Sequence, residues 1–190
     1  MAALMFQRLA RNFAKAGYFP TDADTTARIL SALEPAPSRT LRILDPCCGE
    51  GVALAECKAH LGADRTEAYG IEYDRERAWH SKSLLDRCIH GDAQNAIVGK
   101  RQFGLLFLNP PYGDLVSDQA GGVKDGKGRK RLEKLFYGLT NPLLVFGGIL
   151  VLIVPQYTLD REFCGMLASH FDRLRVFRAP EQQFKQVVIF

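Results

Sequence analysis

Residues 108–113 read Leu-Asn-Pro-Pro-Tyr-Gly and combine an amide, two prolines and an aromatic side chain. A proline fixes φ and lacks a backbone donor, but its carbonyl remains, so Pro110 can present an outward-facing acceptor. The side-chain oxygen of Asn109 is a second acceptor, and the ring of Tyr112 offers a flat face for stacking. Two acceptors beside an aromatic plate suit a planar group that carries an NH₂. The alternative is that the prolines only end the apolar run 103–108.

The surrounding sequence alternates short apolar runs with helical patterns. Strands are predicted at 41–44, 67–71, 88–90, 103–108, 148–154, 173–177 and 186–190. Helices are predicted from Thr21 or Asp22 to about Leu33, from about Gly51 to His60, from Asp74 through Leu85, and, with interruptions, over 129–145. This alternation favours a doubly wound, largely parallel sheet, in which ligands bind beyond the carboxyl ends of the strands.

A glycine-containing loop follows the first predicted strand, at residues 45–51. Gly49 and Gly51 allow a tight turn and a close approach of a ligand to the backbone. The helix that follows presents its N-terminus to the same place. Leu54 breaks the G-x-G-x-x-G spacing of a dinucleotide site, so the loop alone does not identify the ligand.

Acidic residues follow the next two predicted strands. Glu72 stands after the second strand, where a carboxylate can accept hydrogen bonds from ribose hydroxyls. Asp92 stands after the third strand and could accept from an adenine amino group. The alternatives are a surface acid for Glu72 and a helix cap for Asp92.

Composition sets the class of protein. The 190 residues are 47% hydrophobic and 24% charged, which indicates one globular domain, and no apolar segment is long enough for a membrane helix. Five cysteines without a CxxC pair argue against a disulfide framework or a metal site and favour a cytoplasmic protein.

Positive charge concentrates between Gly121 and Leu135. This window predicts either a solvated loop and helix start or a patch that contacts nucleic-acid phosphates. Its basic side chains, the predicted nucleic-acid contacts, are Lys124, Lys127, Arg129, Lys130, Arg131 and Lys134.

Taken together, these residues resemble the class I S-adenosylmethionine-dependent methyltransferases, and the Asn-Pro-Pro-Tyr stretch resembles the amino-methylating group, chiefly adenine-N6 enzymes. The resemblance covers 18–190, and it implies a Rossmann-like, seven-stranded mixed sheet whose last strand is antiparallel. It implies catalytic roles for Asn109, Pro110, Pro111 and Tyr112. It implies that S-adenosyl-L-methionine contacts Tyr18, Phe19, Pro20, Thr21, Asp45, Cys47, Gly49, Gly51, Glu72, Tyr73, Asp92, Ala93 and Asn109.

The resemblance also implies a single catalytic domain over 1–190, with an N-terminal tail at 1–20 and a flexible basic loop at 114–130. Because the chain stops on the last predicted strand, it could be the core of a longer protein. The expected reaction is methylation of adenine N6 in DNA. The alternatives are guanine N2 or adenine in RNA, a glutamine amide in protein, and a non-catalytic nucleic-acid-binding module.

Overall fold

A computed structural model of the protein describes residues 19–35, 40–113, 131–180 and 185–190. The strands are β1 (Leu41–Asp45), β2 (Thr66–Glu72), β3 (Arg87–His90), β4 (Phe103–Leu108), β5 (Leu144–Pro155), β6 (Val176–Arg178) and β7 (Gln186–Ile189). The helices are α1 (Ala23–Ser31), α2 (Val52–Gly62), α3 (Arg75–Leu84), α4 (Leu132–Thr140) and α5 (Arg161–His170). Short 3₁₀ turns lie at Asn141–Leu143 and Gln156–Thr158.

The strands form one seven-stranded sheet in the order β3-β2-β1-β4-β5-β7-β6. The pairs formed among β1 to β5 are all parallel, whereas β7 is antiparallel to both β5 and β6. This arrangement confirms the predicted mixed sheet with its last strand antiparallel. The chain order reverses between β1 and β4, so a crevice opens there beyond the carboxyl ends of the strands.

The core lies on both faces of the sheet. Alternate side chains of β4 enter opposite clusters: Leu106 and Leu108 pack with α4 and α5, whereas Leu105 and Phe107 pack with α1 and α2. All four are at most 2% exposed. Burial on both faces accounts for the continuous apolar runs that predicted these strands.

Several elements differ from the sequence prediction. The helix predicted over 129–145 ends at Thr140, and β5 begins at Leu144 instead of the predicted 148. Gly147, inside β5, has a positive φ of 75°. The sixth strand, predicted at 173–177, is Val176–Arg178. Helix α5 was not predicted. Asp160 caps it through the Phe163 amide at 2.9 Å, and its buried residues, Phe163 and Leu167, are one turn apart.

Some sequence predictions fall outside the described residues: the tail at 1–20, apart from Phe19 and Pro20, and the loop 114–130. Within the described ranges, no helix is both long enough and apolar enough to cross a membrane. In those same ranges, no group of three or more His, Cys, Asp or Glu side chains is placed to hold a metal ion.

The packing around Gly70 in β2 leaves no room for a side chain. A Cβ there would lie 2.6 Å from Cys48 Sγ and 2.7 Å from Leu85 Cδ1. We expect Gly70→Ala to lower the free energy of unfolding by about 1–3 kcal/mol in urea titrations, because a packed core resists an added methyl group. Gly165→Ala in α5 is the matched control, since its Cβ would meet nothing within 4 Å. The control should be neutral or stabilising by up to about 1 kcal/mol. Equal effects of the two variants would contradict this packing.

Candidate functional site

A cavity of about 350 Å³ opens at the carboxyl edge of the sheet, and a smaller one of about 70 Å³ adjoins it. Both are lined by Phe19, Cys47 and Asn109, which therefore separate the two spaces. Of the described residues predicted to hold a cofactor, the larger cavity also contains Glu72, Tyr73, Asp92 and Ala93. The smaller also contains Pro20, Thr21, Asp45 and Gly51. The fold thus brings together the loops that follow β1, β2, β3 and β4.

The loop after β1 has the backbone that its glycines predict. Gly49 and Gly51 have φ values of 56° and 82°, and Gly51 is the N-cap of α2. A Cβ on Gly51 would lie 3.1 Å from Ser81 Oγ, so a side chain there would be both strained and crowded. Ser81 Oγ also donates to the Gly49 carbonyl at 2.6 Å. Helix α3, which carries Ser81, therefore fixes the shape of this loop.

Glu72 is a buried carboxylate that joins three segments. Its Oε2 accepts from the Gly49 amide at 2.9 Å, and its Oε1 accepts from the Asp74 amide at 2.8 Å. Arg77 of α3 donates to the same Oε1 through Nη2 at 2.7 Å and Nε at 3.0 Å. The sequence analysis did not identify Arg77. Because Oε1 already accepts three donors, a ligand hydroxyl has access mainly to Oε2.

Asp45 ends β1 and is only 4% exposed. Its Oδ1 accepts from the Cys47 amide at 2.8 Å. Burial, together with the nearby Glu72 carboxylate, raises the pKa of Asp45 to about 8. The side chain is therefore mostly neutral at pH 7, and a cation bound in the adjoining cavity would favour its ionised form.

The Asn109 amide is held in one orientation. Its Nδ2 donates to the Phe19 carbonyl at 2.7 Å and to Thr21 Oγ1 at 3.1 Å. Its Oδ1 accepts from the Tyr112 hydroxyl at 2.8 Å. Two acceptors opposite Nδ2 determine which amide atom is the nitrogen, so Oδ1 faces the other way and keeps one lone pair for a further donor.

Tyr112 differs in part from its predicted arrangement. Its ring stacks on Phe19, with centroids 5.1 Å apart and planes at 16°, so one of its two faces is already covered. Burial raises the pKa of its hydroxyl, so that the group stays protonated and donates to Asn109 at neutral pH. The stacking of Phe19 on Tyr112 also holds the segment that begins at Phe19 next to the site. The sequence signal for this contact was the Tyr-Phe-Pro-Thr stretch at 18–21, of which Tyr18 lies outside the described residues.

The basic window is less free than its composition predicted. Lys134 pairs with Asp160 at 2.6 Å and also with Glu162, and Arg131 pairs with the fully buried Glu133 at 2.9 Å. The acids that hold Lys134 come from α5, a distant segment that a charge count over the window cannot include. Two acids therefore already pair with Lys134, and its contact with nucleic-acid phosphate stays a prediction. The remaining predicted contacts, Lys124, Lys127, Arg129 and Lys130, lie outside the described residues.

The ends of that basic segment are close together. The Leu132 amide donates to the Gly113 carbonyl at 2.9 Å, which joins the start of α4 to the end of the Asn-Pro-Pro-Tyr stretch. Gly113 and Leu132, which flank residues 114–130 in sequence, therefore lie together next to Tyr112.

Solved structures share this fold. A candidate class I S-adenosylmethionine-dependent methyltransferase from Listeria monocytogenes has a TM-score of 0.75 at 16% identity, over 96% of this chain and 64% of that one. A type I restriction-modification system methyltransferase subunit from Streptococcus thermophilus has a TM-score of 0.69 at 15% identity, over 96% and 47%. A TehB-like methyltransferase from Corynebacterium glutamicum has a TM-score of 0.57 at 18% identity, over 97% and 94%. The chain spans less than two thirds of the first two proteins.

Sequence comparison gives the family. No curated protein matches this chain significantly. One family model, described as an uncharacterised methyltransferase family, matches residues 1–190, and the structures of similar fold include S-adenosylmethionine-dependent methyltransferases. With the glycine loop and the acids of the cavity, these matches make S-adenosylmethionine the expected cofactor. The chain belongs to the uncharacterised methyltransferase family DUF6094.

Proposed function

We propose that this protein methylates an exocyclic amino group, and that the group is adenine N6 in DNA. The observation that carries the proposal is the orientation of Asn109, whose Nδ2 is held by Phe19 and Thr21 while Oδ1 keeps a lone pair. An acceptor of fixed direction beside a cofactor cavity suits an amine that must be aimed.

The residues present fit S-adenosylmethionine. The two cavities, of about 350 and 70 Å³, meet at Asn109, as expected for a ligand with a nucleoside end and an amino-acid end. Glu72 Oε2 would accept from the ribose, Asp92 from the adenine amino group, and the N-terminus of α2 with Asp45 would face the amino-acid end. When bound, the cofactor supplies a methyl group activated on a sulfonium.

The chain's own part in the reaction is to hold the substrate amine. Asn109 Oδ1 and the Pro110 carbonyl, which accepts no hydrogen bond from the described residues, would accept its two N–H groups. The nitrogen lone pair is then directed at the methyl group, and such positioning contributes several kcal/mol. The same two dipoles stabilise the positive charge that develops on nitrogen.

Tyr112 would add contact with the substrate base through the ring face that Phe19 leaves uncovered. A duplex target would have to rotate its adenine out of the helix to reach this pocket.

Nucleic acid is favoured as the substrate by the basic segment that starts beside the site and by the resemblance of residues 109–112 to adenine-N6 enzymes. DNA is favoured over RNA because a protein of similar fold is a restriction-modification methyltransferase subunit. The alternatives are guanine N2 or adenine in RNA, a glutamine amide in protein, and a binding module without catalysis. Cofactor labelled in its methyl group, offered with DNA, RNA and protein in parallel, distinguishes them. Label in DNA supports the proposal, and binding without label favours the module.

The role of Asn109 is tested by Asn109→Ala. We expect the rate of methyl transfer to fall by about 100-fold or more, since fixed dipoles at a developing charge have effects of this size. Thr21→Val is the comparison variant: it removes one of the two acceptors that hold Nδ2 but leaves Oδ1 in place, so its rate should fall by much less than that of Asn109→Ala. Cofactor affinity, measured by calorimetry, should change little in Asn109→Ala. Near wild-type turnover of this variant would contradict the assigned role.

The basic segment is tested through the salt dependence of DNA binding. Four cations are neutralised together in the variant: Lys124, Lys127, Arg129 and Lys130. Four exposed cations at the opposite edge of the sheet are neutralised in the control: Arg87 at the start of β3, Lys100 before β4, and Arg173 and Arg175 before β6. The slope of log K against log salt is negative, and each lost phosphate contact reduces its magnitude by about 0.9. We therefore expect the magnitude to fall by about 3–4 in the variant and to change little in the control. Equal slopes would contradict phosphate contact by this segment.

Asp45 makes cofactor affinity depend on pH. With a pKa of about 8 in the free protein, it must lose a proton to oppose a cationic ligand. Affinity should therefore rise with pH, by at most about tenfold per unit, up to about pH 8 and level off above it. Calorimetry in buffers of different ionisation enthalpy should detect the released proton. Asp45→Asn should remove the proton release attributed to this group, and an unchanged pH profile in that variant would contradict the assignment.

A further inference from the structure

We propose that Cys48 and Cys88 form a reversible disulfide under peroxide, and that the oxidised protein binds its cofactor more weakly. The proposal uses the cofactor site described above but needs no particular methyl acceptor. Cys48 belongs to the loop after β1, and Cys88 belongs to β3. Their sulfurs lie 4.0 Å apart, against about 2.0 Å in a disulfide, so the bond forms only if Cys48 and its loop move towards β3.

The two thiols meet because Gly70 lies between them. Gly70 of β2 pairs directly with Cys88 of β3, and its missing side chain leaves the space that Cys48 Sγ fills. The Cys48 amide also donates to the Ile71 carbonyl at 3.0 Å, which holds the loop against β2. The thiol pair is therefore a product of the strand register and not of proximity in sequence.

The pair also has the asymmetry that oxidation requires. Both thiols are partly exposed. The contact between them, in which either sulfur can be the donor, lowers the pKa of Cys88, with help from nearby Lys82, and raises the pKa of Cys48. Cys88 is thus the thiol that reaches the thiolate form first, while Cys48 stands next to it as the resolving thiol.

The chemistry balances with hydrogen peroxide as the oxidant. The Cys88 thiolate attacks one peroxide oxygen and the O–O bond breaks. Cys88 becomes a sulfenic acid, and hydroxide is the leaving group. The Cys48 sulfur then attacks the Cys88 sulfur and displaces the hydroxyl group, while the thiol proton of Cys48 ends on water. Two thiols lose two electrons in total, and one peroxide becomes two molecules of water.

Closing the disulfide would deform the cofactor site. Cys48 stands between Cys47, which lines both cavities, and Gly49, whose amide binds Glu72. Drawing Cys48 towards β3 shifts both neighbours and strains the Gly49–Glu72 hydrogen bond. The expected loss is about tenfold in affinity, the size of one hydrogen bond to a charged group.

The test compares the reduced wild-type protein with the same protein after hydrogen peroxide treatment. Peptide mapping should find a bond between Cys48 and Cys88, and cofactor titration without any methyl acceptor should give the tenfold loss, reversed by a dithiol reductant. Cys88→Ser should keep its affinity after peroxide. Cys164→Ser, which removes an exposed cysteine on α5, should behave as the wild type.

Three results would overturn the proposal. One is oxidation of Cys88 to sulfinic acid with Cys48 still free. The second is a mapped disulfide with unchanged cofactor affinity. The third is an equal loss of affinity in Cys88→Ser. Failure to methylate DNA, with the disulfide and its effect on cofactor binding intact, would instead contradict the proposed substrate alone.

Discussion

The adjacency of β1 and β4 in the middle of the sheet determines where every part of the site lies. From β1 the chain builds β2 and β3 on one side, and then crosses to β4 on the other. The loops that follow these four strands must all open at the same edge, on both sides of one crevice. The glycine loop, the two acids and the Asn-Pro-Pro-Tyr stretch are far apart in sequence, and only this topology brings them to one cavity.

Two buried or half-buried polar groups then hold the loops in place. Glu72 accepts from Gly49, Asp74 and Arg77, so a carboxylate that would be costly to bury alone is well compensated. On the other side of the crevice, Asn109 is held through its Nδ2 by residues just before α1. Each group therefore serves both the fold and the proposed chemistry, and a substitution at either affects more than one segment.

The sequence predicted what depends on local pattern. All seven strands were found, because apolar runs such as 103–108 are buried on both faces, and the loop and acids at their ends followed from strand position. The antiparallel direction of the last strand came from the resemblance and not from periodicity. Helix α5 was missed although the local signals were present, since Asp160 caps it and its buried residues, Phe163 and Leu167, are one turn apart.

The contacts that the sequence did not predict are pairings of side chains that the pattern of residue types does not encode. Arg77 occupies one oxygen of Glu72, acids of α5 neutralise Lys134, and Phe19 covers one face of Tyr112. A residue's type and spacing indicate that it can bind a phosphate or a ribose. They do not indicate which neighbours already occupy it, because that depends on tertiary packing.

The central claim, that Asn109 and Pro110 aim the amino group of adenine in DNA, is tested most directly by the identity of the product nucleoside. DNA incubated with the protein and S-adenosylmethionine should be digested to nucleosides and separated by mass spectrometry. The expected product is N6-methyldeoxyadenosine, formed at least about 100-fold more slowly when Asn109→Ala replaces the wild-type protein. A methyl group on a ring carbon or on any nucleoside other than deoxyadenosine, or formation of the product by Asn109→Ala at near wild-type rate, would contradict the claim.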